Sequence, residues 1–369
     1  MAHPIPAPSA EYETVRLAAR ARLTDARAGA LRRLAAGPLD WEEVLRLGAF
    51  HKTLPLLHAH LRGHPDVPDN VSGALLDRAR RAATSVLFLS SEMAQIADRL
   101  EADDVPYLVL KGPSLSDAYG GLANRPFVDN DLLVRREDFG RVEASLLALG
   151  FSERKRSDVQ QSRYLSVHGE YTFGRSVGPF GSTVDVHTRL VHAGYSYAPP
   201  LERLRRRSRP ITVAGATVPA LGWDDLFLAL SVNALKDQWD RMRLASDIGA
   251  VAECVADWPA VLRMAERGRV LRAVHLAVLL AADLVDGAFP AGVLARARAD
   301  GRAVSLAAFV QRTMAAGGTQ ESMSGLDRAR LNLGVQDGLR GQLRYSGYAA
   351  VRRATERWVT PHAHRPDPS

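Results

Sequence analysis

Residues 107–134, with the sequence YLVLKGPSLSDAYGGLANRPFVDNDLLV, decide the fold class of this chain. The first four residues, 107–110, are apolar and are closely followed by glycine and proline, which is typical of a short buried strand. Pro113 suits the first position of a helix, because its missing N–H would have no partner there, and we expect that helix over 114–119. The mainly apolar run 127–134 predicts a second strand.

Two aspartates lie in this second predicted strand, in the order Asp129-Asn130-Asp131. Side chains two residues apart in a strand point the same way, so we expect Asp129 and Asp131 on one face and Asn130 on the other. Adjacent carboxylates repel each other unless a cation lies between them, which favours Mg²⁺, a hard ion bound by oxygen ligands. Removing either carboxylate should therefore abolish activity while leaving the fold intact, and relief of the repulsion would raise thermal stability in the absence of metal.

A third acidic residue lies in the segment Val184-Asp185-Val186-His187, which again alternates like a strand. Three carboxylates on neighbouring strands could hold one or two Mg²⁺ ions for an in-line phosphoryl transfer. Asp129, Asp131 and Asp185 are therefore the candidate catalytic and metal-binding residues. We expect His187 to orient Asp185 or to fill the strand face, with a contact to nucleotide or acceptor as the alternative.

The turn after the first strand has the composition of a phosphate-binding loop. A helix N-terminus offers unpaired N–H groups and partial positive charge, and Gly112 would let the backbone approach an anion closely. Lys111 and the Ser114 hydroxyl could add contacts, and Arg125 could bind a phosphate bidentately. These four residues are the candidate nucleotide-binding residues.

Strand-like segments are confined to the middle of the chain, which favours an α+β fold over a doubly wound sheet. We expect a small mixed β-sheet core flanked by helices at both ends. The predicted units are an N-terminal helical region, an α+β core, a C-terminal helical domain and a flexible tail, over residues 1–103, 104–222, 223–358 and 359–369.

The composition narrows the class of protein further. Of the 369 residues, 46% are hydrophobic and 24% charged, which excludes wholesale disorder. The net charge of +7 permits a nucleic-acid partner but does not favour one, because arginine so dominates the basic residues that a coding bias explains it. The apolar segment 270–285 carries three ionisable side chains and predicts a buried helix rather than a membrane span. The single cysteine, Cys254, excludes an intramolecular disulfide and favours a cytoplasmic protein.

Several of these motifs resemble one known family. The LKG at 110–112, the RPFVDNDLLV at 125–134 and the VDVH at 184–187 are similar to motifs of the uncharacterised bacterial nucleotidyltransferases of the DNA-polymerase-β-like superfamily. Residues 234–239 and 246–248 resemble the helical segment of that family, so the resemblance spans residues 45–255. It implies a small mixed sheet that carries the carboxylates, and an NTP substrate.

The chain departs from that family's pattern at a few positions. Asn130 replaces an apolar residue, and Asn233 and Asp237 stand where the family has histidines. The phosphate turn reads Gly-Pro-Ser, where Gly-Ser or Gly-Gly is more common. Lys236 lies between the two substituted positions and is a candidate contact to the nucleotide or the acceptor, whereas Asp247 is expected to be a buried acid paired with an arginine.

The sequence therefore predicts a Mg²⁺-dependent enzyme that moves a nucleoside monophosphate from an NTP to an acceptor hydroxyl and releases pyrophosphate. We expect a small-molecule acceptor, such as an aminoglycoside-like, sugar or peptidic natural product. A tRNA end or a protein side chain is the alternative acceptor. A third possibility is an inactive module that only binds a nucleotide; the three carboxylates argue against it and the missing histidines argue for it.

Overall fold

The computed structural model describes residues 8–153, 164–317 and 323–359, and the side chains up to residue 356. A seven-stranded mixed sheet lies at its centre in the order β3-β4-β5-β2-β1-β7-β6, which confirms the predicted α+β class. The strands β1 to β7 are Tyr107–Val109, Asn130–Val134, Ser152–Glu153, Glu170–Val177, Phe180–His187, Arg209–Val213 and Ala216–Ala220.

Helices occupy both ends of the chain, as the sequence patterns predicted. Those before the sheet are Ala10–Ala18, Asp25–Ala35, Trp41–Phe50, Leu54–Leu61 and the long helix Asp69–Ala102. Helices between the strands span Phe139–Ala148, 164–168 and Leu201–Arg205. Those after the sheet are Trp223–Asn233, Met242–Ala252, Trp258–Arg267, Leu271–Val285, Ala291–Ala299, Gly301–Ala315, Gly325–Gly334 and Leu339–Val359.

Alternate residues of the central strands enter two different hydrophobic cores. Leu132 of β2 packs with the second half of the long helix Asp69–Ala102 and with helix Phe139–Ala148 on one face of the sheet. Leu133 packs on the other face, in the large core formed by the N-terminal and C-terminal helices. Asp131 shares the face of Leu133 because the two residues are two apart, so its carboxylate points towards the C-terminal helices.

Strand pairing aligns the polar residues on that face. β2 runs parallel to β5, and this register sets Asp131 directly opposite Asp185. β5 forms an antiparallel hairpin with β4, in which Thr172 pairs with Asp185 and Glu170 with His187. The five polar side chains therefore emerge from three adjacent strands on one side of the sheet.

Three predicted elements near the site have different bounds. The expected helix 114–119 is instead a pair of 3₁₀ turns, Gly112–Leu115 and Asp117–Tyr119, which end at Gly120 in the left-handed conformation. The second strand begins at Asn130 rather than at residue 127, because Phe127 turns into a small core against the long helix. The helical spacing of residues 224–239 predicts one continuous helix, but that helix ends at Asn233.

Other predictions concern the two ends of the chain and its most apolar segment. Alanine, leucine and arginine at helical spacing predict one helix over 11–36. The structure has two helices there, and the second begins after Thr24, whose side chain accepts a hydrogen bond from the Arg27 N–H. Helix Leu271–Val285 is buried as predicted, and none of the helices in the described ranges is long and apolar enough to cross a membrane. Apart from Val359, the predicted tail lies outside the described residues.

Candidate active site

A cavity of about 430 Å³ opens over the face of the sheet that carries Asp131. Its walls combine many charges of both signs, contributed by the sheet, the turn after β1 and the C-terminal helices. The acidic lining residues are Asp129, Asp131, Glu170, Asp185, Asp237, Asp247 and Glu356, and the basic ones are Lys111, Arg125, Arg189, Lys236, Arg243 and Arg352. All three predicted catalytic carboxylates thus line the same cavity.

Asp131, Asp185 and His187 form the tightest group in this cavity. One ligand atom from each lies within 4.8 Å of those of the other two, a spacing that could accommodate a metal ion. Nε2 of His187 lies 2.9 Å from Oδ1 of Asp131. The prediction that His187 orients Asp185 was therefore wrong: the parallel register brings the imidazole to the carboxylate of the neighbouring strand, while Asp185 accepts a 2.6 Å hydrogen bond from Thr172.

The carboxylates of Asp129 and Asp131 have opposite electrostatic environments. Burial by itself would raise the pKa of Asp131, but the charges and hydrogen bonds of Lys111 and His187 hold that pKa well below its ordinary value. Nζ of Lys111 lies 3.1 Å from Oδ1 of Asp131. Burial and then the charge of Asp131 raise the pKa of Asp129, which lies in the bend just before β2. Of these two carboxylates, Asp131 is the one that pairs with basic side chains among the described residues.

The donor atoms of this group fit a divalent cation. Asp131 and Asp185 supply carboxylate oxygens, the ligands that Mg²⁺ prefers, and Asp129 lines the same cavity. Burial raises the pKa of Asp185, and the negative charge of Asp131 adds to this despite the hydrogen bond from Thr172. A bound cation would relieve the repulsion among these three carboxylates. His187 adds an imidazole nitrogen, which also suits transition metals.

The two small residues of the predicted phosphate turn serve the fold in ways the sequence did not reveal. Gly112 has φ of +62°, and a Cβ there would lie 3.3 Å from the carbonyl oxygen of Asp129 and from the ring of Phe127. Ser114 is fully buried, and its hydroxyl donates a 3.0 Å hydrogen bond to the carbonyl of Leu110. Ser114 is not among the cavity-lining residues, so the expected hydroxyl contact with phosphate has no support in this geometry.

Arg125 reaches the cavity but is already paired with a carboxylate. Its Nε and Nη2 donate to the two oxygens of Asp247 at 3.1 and 2.7 Å, and both side chains are buried. The hydroxyl of Tyr119 donates to the same carboxylate at 2.9 Å. The prediction that Asp247 is a buried acid paired with an arginine is confirmed, whereas Arg125 uses its Nε–Nη2 edge on that carboxylate and its role as a phosphate clamp stays a prediction.

Lys236 belongs to a chain of charges that sequence analysis only partly predicted. Its ammonium pairs with Glu170, and Glu170 also lies 3.6 Å from Nδ1 of His187. No sequence motif marks Glu170. A two-residue hairpin turn at 178–179 would have predicted its position, because counting back from that turn pairs Glu170 with His187. Burial would raise the pKa of Glu170, but the charges of His187 and Lys236 lower it.

The C-terminal helix Leu339–Val359 closes one wall of the cavity. Tyr348 stacks on His192 with 4.8 Å between ring centroids, and Arg352 pairs with Glu356 at 2.8 Å. Burial, followed by the charge of Arg352, lowers the pKa of His192 to about 3, so this imidazole is neutral at pH 7. No sequence signal linked this helix to motifs that lie more than 150 residues away.

The positions where the family's histidines are replaced also face the cavity. Asn233 and Asp237 both line it, and the Asn233 amide donates a 3.3 Å hydrogen bond to the carbonyl of Leu190. Asn130, the other departure, points to the opposite face as expected, where its amide donates to the carbonyl of Leu89 at 3.0 Å. The three acids on the cavity side are thus unaffected by that substitution.

The mixed sheet carries Asp131 and Asp185, Asp129 lies in the bend before β2, and cations line the same cavity, an arrangement consistent with a nucleotidyltransferase core. The family model described as "Uncharacterised nucleotidyltransferase" matches residues 37–286, more than half of the chain. The chain therefore belongs to this family and is a transferase of the nucleotidyltransferase class, as its motifs predicted. Searches among curated proteins and among solved structures found no match.

Proposed function

We propose that this protein transfers a nucleoside monophosphate from an NTP to a hydroxyl of a small-molecule acceptor, with Mg²⁺ as cofactor and pyrophosphate as the second product. The observation that carries the proposal is the convergence of Asp129, Asp131 and Asp185 in one cavity that also contains cationic side chains. Neighbouring carboxylates without a counter-charge would destabilise the folded protein. A metal–triphosphate complex supplies a cation for the carboxylates and an anion for the basic side chains of the cavity.

Asp129, Asp131 and Asp185 would hold the metal, which when bound neutralises charge on the phosphates. The acceptor oxygen forms a bond to the α-phosphorus, the bond to the bridging oxygen of the β-phosphate breaks, and pyrophosphate leaves. Asp185 takes the proton of the acceptor hydroxyl. Lys111 and His187 hold the Asp131 carboxylate in one orientation, so catalysis rests on positioning and charge neutralisation.

The acceptor would bind on the side of the cavity formed by His168, His192 and the C-terminal helix. Nε2 of His168 is buried without a hydrogen-bond partner among the described residues, and it lines the cavity. Burial lowers the pKa of His168, so it offers a neutral donor or acceptor to a polar ligand. Tyr348 and Arg352 extend this wall. A cavity of about 430 Å³ lies in the range of small-molecule sites.

Label in two positions of the NTP tests the reaction. The protein is incubated with Mg²⁺ and each of the four NTPs carrying α- or γ-phosphate label, together with the small-molecule filtrate of the cells that make it. We expect the α-label to enter a compound of low mass and the γ-label to appear in pyrophosphate. Asp185→Asn should lose this transfer, whereas Asp77→Asn, an exposed aspartate on the long helix, should retain it.

Other outcomes would select the alternatives. Nucleotide binding without pyrophosphate release from any NTP would identify an inactive binding module. Label in total tRNA that persists at physiological salt would identify an RNA acceptor. Weak, non-specific binding of RNA to a protein of charge +7 should disappear at that salt concentration, because the logarithm of the binding constant falls with the logarithm of the salt concentration with a slope of roughly 0.7 for each single-strand phosphate contact. Label in protein would identify a side-chain acceptor.

A further inference from the structure

The basic side chains of the cavity differ in whether a carboxylate neutralises them. Four of them form ion pairs: Lys111 with Asp131, Arg125 with Asp247, Lys236 with Glu170 and Arg352 with Glu356. Within the described parts of the chain, Arg189 and Arg243 form no ion pair, although both line the cavity. An unpaired cation in a half-buried position is costly for the folded protein unless a ligand supplies the counter-charge.

Arg243 is held firmly at its place in the cavity wall. It is the second residue of helix Met242–Ala252, and its backbone N–H donates to the carbonyl of His51 at 3.3 Å. The N–H of Met242 donates to Nδ1 of the same buried histidine at 3.2 Å. These contacts join the start of the helix to the N-terminal region, so the guanidinium projects from a fixed backbone.

The surroundings of Arg243 favour an incoming anion. Burial and then the charge of Arg125 lower the pKa of Arg243, and the charges of Asp247 and Asp129 only partly oppose this. The Asp247 carboxylate is already occupied, because Arg125 donates to both of its oxygens. Arg189 instead lies over Gly169 at the start of β4, on the side of Glu170. Among the described residues, Arg243 is therefore the cavity cation outside any ion pair whose charge acts on Asp129.

We propose that Arg243 binds the β- and γ-phosphates of the NTP, so that the triphosphate lies on the Asp129 side of the cavity and the acceptor on the side of the C-terminal helix. The proposal deepens the proposed nucleotidyl transfer and rests on it. A guanidinium presents two parallel N–H groups that match two phosphate oxygens, and it stays protonated at any physiological pH. Lys111 and Arg125 are less available because each is held by a carboxylate.

Calorimetric titration of four ligands tests this assignment: ATP, inorganic tripolyphosphate, pyrophosphate and AMP, each with Mg²⁺. The proteins are the wild type, Arg243→Gln, Arg243→Lys and Arg241→Gln. Arg241 is the matched control, because it lies two residues away, carries the same charge and is not among the cavity-lining residues. Thermal unfolding without ligand is measured for each protein.

We expect Arg243→Gln to weaken the binding of ATP and of tripolyphosphate at least about tenfold, which corresponds to about 1.4 kcal/mol. The affinity for AMP should fall less than about threefold. Arg243→Lys should recover part of the loss, since it restores charge without the bidentate geometry. Arg241→Gln should match the wild type. The melting temperature of Arg243→Gln should not fall, because a cation that was unpaired has been removed.

Two results would overturn the assignment while leaving nucleotidyl transfer intact: unchanged ATP affinity in Arg243→Gln, or an equal loss for AMP and ATP. A large loss of folding stability in Arg243→Gln would show that the side chain is structural instead. A wild-type protein that binds neither ATP nor tripolyphosphate would overturn both this proposal and the proposed function.

Discussion

The strand pair β2–β5 and the turn at 111–125 contribute to the same cavity, but the sequence predicted them with unequal success. In the strands, alternation and parallel register bring Asp131 and Asp185 side by side, as the pattern required. In the turn, Ser114 and Arg125 instead bond to Leu110 and Asp247. The difference teaches that residue type indicates chemistry in both regions, whereas side-chain direction follows from the sequence only where the backbone is regular.

The largest effects are expected for the carboxylates at β2, and the test compares Asp129→Asn with Asp131→Asn. Both should reduce transfer by about 10³-fold, because each removes a charge that positions the metal and triphosphate. Their stabilities should change in opposite directions. Asp131→Asn loses its contacts with Lys111 and His187 and should cost about 3 kcal/mol, whereas Asp129→Asn relieves repulsion and should raise the melting temperature. The expectation that removing either one stabilises the protein is therefore kept as a prediction for Asp129 and withdrawn for Asp131.

The pH dependence gives this comparison a second readout. The folded-state pKa of Asp131 is depressed, so its stabilisation is present above about pH 4 and is lost as the pH falls through the folded-state value. The folded-state pKa of Asp129 is raised, so its ionisation destabilises the protein as the pH rises through that value. The advantage of Asp129→Asn should thus be seen at pH 7 and vanish below about pH 4. Equal shifts in both variants would contradict this electrostatic picture.

The interpretation of the turn at 111–125 can be tested by removing the Arg125–Asp247 ion pair. Arg125→Met leaves a buried carboxylate with only Tyr119 as hydrogen-bond donor and should cost about 3–5 kcal/mol. Adding Asp247→Leu should restore part of that loss. The folded variant should bind Mg²⁺·ATP within about threefold of the wild type, since Arg125 is held by Asp247. A loss of ATP affinity of about tenfold or more at unchanged stability would restore the phosphate-clamp interpretation of Arg125.

The smallest expected effect comes from two glycines of the same turn region. Gly112 and Gly120 both have positive φ, +62° and +70°, so alanine at either should cost about 1–2 kcal/mol. Only at Gly112 would the new Cβ press on the Asp129 carbonyl and Phe127, whereas nothing lies within 4 Å at Gly120. Gly112→Ala should therefore also raise the Mg²⁺ concentration that half-saturates transfer. An equal Mg²⁺ dependence in both variants would show that Asp129 does not depend on this contact.

Much of the site was accessible from local patterns. Asp131, Asp185 and His187 were found because strands place alternate residues on one face and apolar runs mark where strands lie, whereas Lys111 was found from the composition of the turn after β1. Glu170 and Arg243 were missed because neither stands in a motif, and each matters only through what it lies beside. The wall formed by Tyr348 and Arg352 was missed because it depends on the return of the C-terminal helix to the sheet.

The sequence by itself determined the α+β class, the family and the placement of Asp131 and Asp185 on one face of the sheet, because these follow from short-range periodicity and spacing. The tertiary structure alone decided which charges are neutralised. Asp131 is held by Lys111 and Arg125 by Asp247, while the Arg243 side chain forms no ion pair with any residue that the structure describes. Those pairings join residues up to 122 positions apart, and only the packing of helices against the sheet brings them within hydrogen-bond distance.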